Sequence, residues 1–302
     1  MPVQRQTLFV LGLGLFWGLS PALNRMLGDY GIPITHILVA SGFGVGAGLL
    51  LMQLLGGGRP QINRQTILYG LGCGILLNIP WSFSLTVVRH VPVTLYAVVI
   101  STSPFWTYAV AMMIGRDRAS AWRLAALIVG FVSSAVLIVS RPEASVGELS
   151  FWVLAAFVSP MLFAFYNVFT AVAWPKGMDA LTAGIVESFA AGLIGLPFML
   201  WLDPPSAPAG MTPAVWLLIA VTAMWVLERV CYFNMVQRFG PVTTVQAVYV
   251  STPAGVLFGL LLYKESADAW LWASLGLLMA ALWLNNRAIR TKPEEPRQVE
   301  AA

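Results

Sequence analysis

The feature that most constrains this chain is a succession of ten apolar runs, each about as long as a helix that crosses a bilayer. Such a helix needs roughly 20 mainly apolar residues. Hydrophobic residues make up 58% of the 302 residues and charged residues only 10%, whereas a soluble domain usually carries about 25% charged residues. Because a soluble fold could not keep this much apolar surface from water, we predict an all-α integral membrane protein. The ten predicted spans, numbered one to ten, are Thr7–Met26, Pro33–Leu55, Thr66–Val88, Pro92–Gly115, Trp122–Ser140, Leu149–Trp174, Ala180–Leu202, Thr212–Val236, Pro241–Tyr263 and Ala269–Ala288.

The basic residues between the spans predict the orientation of the chain. Twelve lysine and arginine residues lie on the side that holds both termini, and four lie on the other side. Because positively charged loops are retained in the cytoplasm, we expect both termini there, in a bacterial inner membrane. The same distribution accounts for the net charge of +4 without a nucleic-acid partner.

The two halves of the chain share a motif. Pro92-Val93-Thr94, continuing to Ser103-Pro104, matches Pro241-Val242-Thr243, continuing to Thr252-Pro253. We therefore predict two repeats, residues 1–145 and 146–290, followed by a disordered cytoplasmic tail at 291–302. Five spans per repeat is an odd number, so the second repeat must be inverted relative to the first. Inverted repeats are typical of alternating-access carriers that bind their substrate near the middle of the membrane.

The chain resembles the ten-helix EamA-type carriers of the drug/metabolite transporter superfamily. The resemblance rests on Trp17-Gly18 in span one, Phe163-Ala164-Phe165-Tyr166 in span six, the prolines Pro104 and Pro253, and Lys264-Glu265 after span nine. The first half departs from the pattern, because Arg116 stands where the family often has a glutamate. The resemblance implies a single-chain exporter or permease of small polar or amphipathic metabolites such as amino acids.

Three ionisable residues lie within predicted spans: Glu187 in span seven, and Glu228 and Arg229 in span eight. A charge in the middle of an inserted helix costs roughly 2.5–3.5 kcal/mol, so it should face a partner or a cavity. Glu228 and Arg229 are adjacent and leave the helix about 100° apart, so we expect no simple pair between them and predict that Glu187 is the partner of Arg229. Such a pair could lock two helices together, or the charges could line a substrate site.

Polar and aromatic residues recur at helical spacing in several spans. In lipid such a stripe should face protein or a cavity, and we take its members as candidate substrate-binding residues. Pro104 and Pro253, at matching positions of the two halves, are candidate kinks or gates. The predicted substrate-binding residues are Trp17, Asn24, Asn78, Trp81, Tyr166, Glu187, Glu228, Arg229, Tyr232, Gln246 and Tyr249.

An intramembrane enzyme acting on a lipid-linked or small amphipathic substrate is the main alternative. Such enzymes need clustered acid, base or metal-binding residues, and the two histidines and two cysteines of this chain are scattered. We therefore expect no metal, no cofactor and no enzymatic activity. The expected partners are a small-molecule substrate and membrane lipid, with protons as a candidate coupling ion, and we expect a monomer.

Overall fold

In the computed structural model, residues 3–115, 121–139, 148–205, 212–245 and 247–290 are described. These residues form twelve α-helices and no β-strand. The helices are α1 (Val3–Asp29), α2 (Ile34–Leu55), α3 (Arg64–Val87), α4 (Val93–Ile100), α5 (Ser103–Met113), α6 (Ala121–Val139), α7 (Glu148–Ala156), α8 (Val158–Val172), α9 (Ala180–Leu202), α10 (Pro213–Val245), α11 (Val248–Tyr263) and α12 (Ala269–Arg290).

The twelve helices make ten membrane spans. Within the described ranges, seven segments are long and apolar enough to cross a bilayer, and three shorter apolar helices complete the set. Span four consists of α4 and α5, span six consists of α7 and α8, and every other span is a single helix. The all-α fold of two inverted five-helix repeats, predicted from the sequence, is confirmed.

In each of the two broken spans, a proline lies at the start of the second helix. Pro104 lies in the first turn of α5 and Pro160 in the first turn of α8. Proline has no N–H to donate, so it is accommodated where a helix begins and disrupts one that continues through it. Pro253, the counterpart of Pro104 in the repeat, lies inside α11, which continues through it. Thus the two matching prolines differ in their local structure.

Helix α10 ends later than predicted. It continues to Val245, beyond the boundary that we expected between Val236 and Pro241. Apart from Gln246, the residues from Val242 to Val248 are apolar or β-branched, so hydropathy does not mark the end of the helix. The predicted repeat boundary at 145/146 and the predicted tail at 291–302 lie outside the described residues and stay predictions.

The two halves pack against each other reciprocally. Helix α1 packs against α11 while α8 packs against α5, which joins spans one and nine and, equivalently, spans six and four. In the same way, α3 packs against α9 while α10 packs against α2, and the pairs α2–α9 and α6–α12 join equivalent spans. Exchanging the halves maps each of these contacts onto its counterpart or onto itself, as expected for an inverted repeat.

Small residues bring the central helices close together. A β-carbon added to Gly42 on α2 would lie 2.4 Å from the backbone nitrogen of Gly192 on α9, and one added to Gly18 on α1 would lie 2.7 Å from the carbonyl oxygen of Ser251 on α11. Only glycine fits at these two crossings. Close backbone approach of this kind is a common way for helices to associate in lipid.

Glu265, the residue singled out by the family resemblance, joins the two halves at one end of the bundle. Its Oε1 accepts the backbone N–H of Val93 at 2.7 Å and its Oε2 accepts that of Thr94 at 2.9 Å, so it caps the N-terminus of α4. Arg25 of α1 lies 3.4 Å from the same carboxylate and stacks on the ring of Tyr263, 4.5 Å away. A carboxylate at a helix N-terminus is favoured by the unpaired N–H groups and the helix dipole, so Glu265 tethers span nine to spans one and four.

Candidate functional site

A cavity of about 190 Å³ lies between the two halves. In the described part of the chain, its walls come from spans one, three and four of the first half and from the equivalent spans six, eight and nine of the second half. This is the position expected for the substrate site of an inverted-repeat carrier. The polar and aromatic residues that line it are Trp17, Ser20, Asn24, Trp81, Ser84, Tyr96, Ser101, Ser103, Thr107, Phe163, Tyr166, Asn167, Trp225, Glu228, Arg229, Tyr232, Thr244 and Ser251.

The ion pair predicted between Glu187 and Arg229 is confirmed. Arg229 Nη1 lies 3.3 Å from Glu187 Oε1, and Glu187 is completely buried. Tyr166 links the same two residues: its hydroxyl accepts a hydrogen bond from Arg229 Nη1 at 2.9 Å and donates one to Glu187 Oε2 at 2.7 Å. Glu187 therefore lies behind the cavity wall and pairs with the guanidinium of Arg229, which faces the cavity.

The expectation that Glu228 and Arg229 do not pair is wrong. Arg229 Nε lies 3.5 Å from Glu228 Oε2. The two Cα–Cβ bonds diverge around the helix, but both side chains are long enough to turn back toward each other. Glu228 Oε1 also accepts a hydrogen bond from the indole N–H of Trp17 at 2.7 Å, which connects span eight to span one across the cavity.

Aromatic rings surround the guanidinium of Arg229. Its central carbon lies 5.9 Å from the ring of Trp81, 5.9 Å from that of Tyr166 and 5.7 Å from that of Tyr232. These distances are within the range at which a cation is attracted to the face of an aromatic ring. Trp225 packs edge-on against Trp81, with 4.9 Å between ring centres. The charged groups are thus held in an aromatic wall that keeps lipid away from them.

Further hydrogen bonds fix the orientation of this wall. The Tyr232 hydroxyl donates to Asn167 Oδ1 at 3.3 Å, and Trp225 Nε1 donates to Ser20 Oγ at 3.3 Å. Asn167, Trp225 and Ser20 were not among the predicted binding residues, although each lies on one of the helical stripes. Tyr96 and Ser101 of span four also line the cavity but were not predicted. Their neighbours in the sequence are mostly apolar, so no polar stripe is visible in that span.

Asn24 contributes an unusual group to the cavity wall. The residue is 7% exposed and lines the cavity, and its Oδ1 is buried without a hydrogen-bond partner. Buried polar atoms in native proteins nearly always have a partner. A ligand that donates an N–H or O–H to this oxygen would satisfy it.

Three predicted residues do not line the cavity. Asn78 instead donates from Nδ2 to the carbonyl oxygen of Ala191 at 2.8 Å, so it ties α3 to α9. The position of Asn78 on its helix was compatible with facing either a cavity or another helix. The packing of α3 against α9 turns the side chain toward α9. Glu187 lies behind Tyr166, and Pro253 lies on α11 away from the cavity, whereas Pro104 lines it. Two more predictions are not described by the structure: Gln246 lies outside the described residues, and so does the side chain of Tyr249.

Thiol labelling can check which residues the cavity exposes to water. In a background with Cys73→Ala and Cys231→Ala, we expect Ser20→Cys and Ser251→Cys to react with a water-soluble methanethiosulfonate reagent, since both positions line the cavity. Transported solute should slow both reactions. Asn78→Cys is the control and should stay unreactive, because its position faces α9. Rapid labelling of Asn78→Cys with inert Ser20→Cys would contradict the assigned walls.

The chain matches a known protein family in sequence and solved structures in fold. The family model described as the EamA-like transporter family matches residues 5–139 and 150–287, one match in each half. Among 28 significantly similar chains of solved structures, one that is titled only as a crystal structure of a protein has a TM-score of 0.69 and 15% sequence identity, and the match covers 97% of this chain and 100% of that chain. At this identity the likeness concerns the fold alone. A search of the curated proteins found no significant match.

Proposed function

The chain belongs to the EamA-like transporter family of the drug/metabolite transporter superfamily, and from this premise we propose that it is a secondary transporter of small polar or amphipathic metabolites. It works by alternating access, with the cavity between the two repeats as the substrate site. Membership in a transporter family favours a carrier over an enzyme. We further propose export as the direction of transport and amino acids and related compounds as the first solutes to test.

The observation that carries this proposal is the placement of charge in the cavity. Glu228 and Arg229 line a cavity that lies between the repeats, and both remain about 7% exposed. Charges in the middle of a membrane are costly and usually mark a substrate or ion pathway. The volume of about 190 Å³ is smaller than that of typical pockets for drug-sized ligands, about 300–1,000 Å³, so it favours a small metabolite.

Solute counterflow in proteoliposomes tests the proposal. Vesicles loaded with a high concentration of an unlabelled solute should transiently accumulate the same solute in labelled form, with a rate that saturates. A panel of amino acids and their amine and acid derivatives covers the proposed class. If every member of the panel equilibrates only at the rate seen in protein-free vesicles, the proposed function is wrong for this class of solutes.

Protons are proposed as the coupling ion, with Glu228 as the group that takes one up. Among the described residues that line the cavity, Glu228 is the one with a carboxylate. A proton bound to it would compete with a cationic group of the substrate. An imposed pH gradient should then drive solute accumulation. Unchanged accumulation with and without the gradient would remove protons from the mechanism.

We also propose that the protein lies in a bacterial inner membrane with both termini in the cytoplasm. Alkaline phosphatase fused after Ser145 or Pro205 should be active, because these loops are expected in the periplasm. Fusions after Pro60 or Lys176 should be inactive, because the excess of basic residues retains these loops in the cytoplasm. Activity of the opposite pattern at either pair would contradict the proposed orientation.

A further inference from the structure

The charges around the cavity do not balance. Two carboxylates, those of Glu187 and Glu228, share one cation, Arg229. This count covers the described residues that line the cavity and those that pair with its charged residues. Glu187 is buried behind the cavity wall, and its Oε2 also accepts a hydrogen bond from the Tyr166 hydroxyl at 2.7 Å. Glu228 faces the cavity, where its Oε1 accepts the Trp17 indole N–H and its Oε2 lies near Arg229 Nε. With both carboxylates ionised, the site therefore has one negative charge more than it has positive charges.

An uncompensated charge at a largely buried position in the membrane is unfavourable, because protein and lipid solvate it less well than bulk water does. A ligand with one positive charge would restore the balance between carboxylates and cations. A zwitterionic ligand would leave the surplus unchanged, because it brings a third carboxylate together with its ammonium group. The count of charges thus distinguishes two ligand classes that have similar size and the same apolar body.

The walls favour the same ligand class. Trp17, Trp81, Trp225 and Tyr232 line the cavity, and the faces of such rings attract cations. The free Oδ1 of Asn24, on the same wall as Trp17, is an acceptor that lacks a donor. An ammonium group has three donors and no acceptor, so it matches both a carboxylate and a free amide oxygen.

We propose that the preferred substrates are small amines that are protonated at neutral pH and carry an aromatic or branched apolar body, without a carboxylate. This inference rests on the proposed transport function and narrows its substrate class. Glu228 binds the ammonium group, Asn24 Oδ1 accepts one of its hydrogen bonds, and the aromatic wall holds the apolar body. Amino acids with the same body bind more weakly, because their carboxylate cancels the charge of their ammonium group and leaves the surplus negative charge of the site uncompensated.

Matched pairs of ligands test this inference. The purified full-length protein is titrated with phenethylamine and phenylalanine, and with isoamylamine and leucine, and dissociation constants are taken from ligand-dependent thermal stabilisation. We expect each amine to bind at least tenfold more tightly than its amino acid, which corresponds to about 1.4 kcal/mol. N-acetylphenethylamine, which keeps the ring and loses the charge, should bind no better than phenylalanine.

Two variants and one control locate the effect. Glu228→Gln should reduce the amine preference to less than threefold, and Asn24→Ala should weaken amine binding several-fold. The second variant breaks no hydrogen bond of Asn24 Oδ1, since that atom has none, so it keeps the test valid if Glu228→Gln folds poorly. Asp268→Asn is the matched control: this carboxylate caps α12 through the N–H of Leu271 at 2.7 Å, away from the cavity, and its removal should leave the preference intact.

The outcomes separate this inference from the proposed function. Amino acids that bind as tightly as the amines, or an amine preference that survives Glu228→Gln, would overturn the inferred substrate class. If amino acids undergo counterflow while the amines neither bind nor exchange, the protein is a transporter and the substrate class is wrong. If no solute of either kind exchanges or binds, both the class and the proposed function are wrong.

Discussion

Replacing Arg229 by alanine is expected to abolish transport and to lower the free energy of unfolding by about 3–5 kcal/mol, the usual cost of removing one partner of a buried ion pair. The change leaves Glu187, which is completely buried, without its cation. It also removes the guanidinium that donates a hydrogen bond to the Tyr166 hydroxyl and that places a positive charge beside Glu228. Thermal unfolding in detergent and counterflow in proteoliposomes measure the two effects.

A double replacement separates the pair from the single residue. Glu187→Gln combined with Arg229→Met removes both charges, so no unmatched charge remains behind the wall. Its melting temperature should lie well above that of Arg229→Ala, while transport stays lost because the cavity has lost its cation. A double variant no more stable than Arg229→Ala would show that the 3.3 Å contact does not account for the loss.

Glu228→Gln is expected to slow transport at least tenfold with normal expression and folding. Glutamine keeps the shape of the side chain and an oxygen that can accept the Trp17 N–H, so it removes little besides the charge. A tenfold lower rate corresponds to about 1.4 kcal/mol on the barrier. Initial counterflow rates over a range of pH, normalised to the amount of reconstituted protein, measure the effect.

Asp268→Asn is again the control, because it neutralises a carboxylate that caps a helix outside the cavity. It should transport at the wild-type rate. Wild-type transport by Glu228→Gln at every pH would mean that Glu228 neither binds substrate nor couples a proton. Its hydrogen bond with Trp17 would then be a tie between spans eight and one.

Residue chemistry alone was enough to identify the charged centre of the site. Glu187, Glu228 and Arg229 were recognisable because a charge within an apolar run is costly and demands a partner. The partner of Arg229 followed from the small number of acidic residues in the spans. The contact between Glu228 and Arg229 did not follow, because the direction in which a helix presents a residue does not determine where the end of a long side chain lies.

Asn78 illustrates a different limit. Helical periodicity groups polar residues on one face, but it leaves open whether that face meets a cavity or another helix. The answer depends on how α3 rotates against α9, where Gly74 lies so close to α9 that an added β-carbon would be 2.8 Å from the backbone nitrogen of Ala191. This contact turns Asn78 toward the carbonyl oxygen of Ala191. Such a rotation is decided by packing between segments that are far apart in the sequence.

By itself, the sequence determined the ten spans, the inverted repeat and the charged residues that need partners, because hydropathy, an odd number of spans per repeat and the cost of a charge in lipid act locally along the chain. Only the tertiary structure decided which stripes face the cavity, that Pro104 starts a new helix while Pro253 lies inside one, and that Glu228 meets both Trp17 and Arg229. These features arise from contacts between the two halves. Their geometry depends on side-chain volumes at helix crossings, which no single span contains.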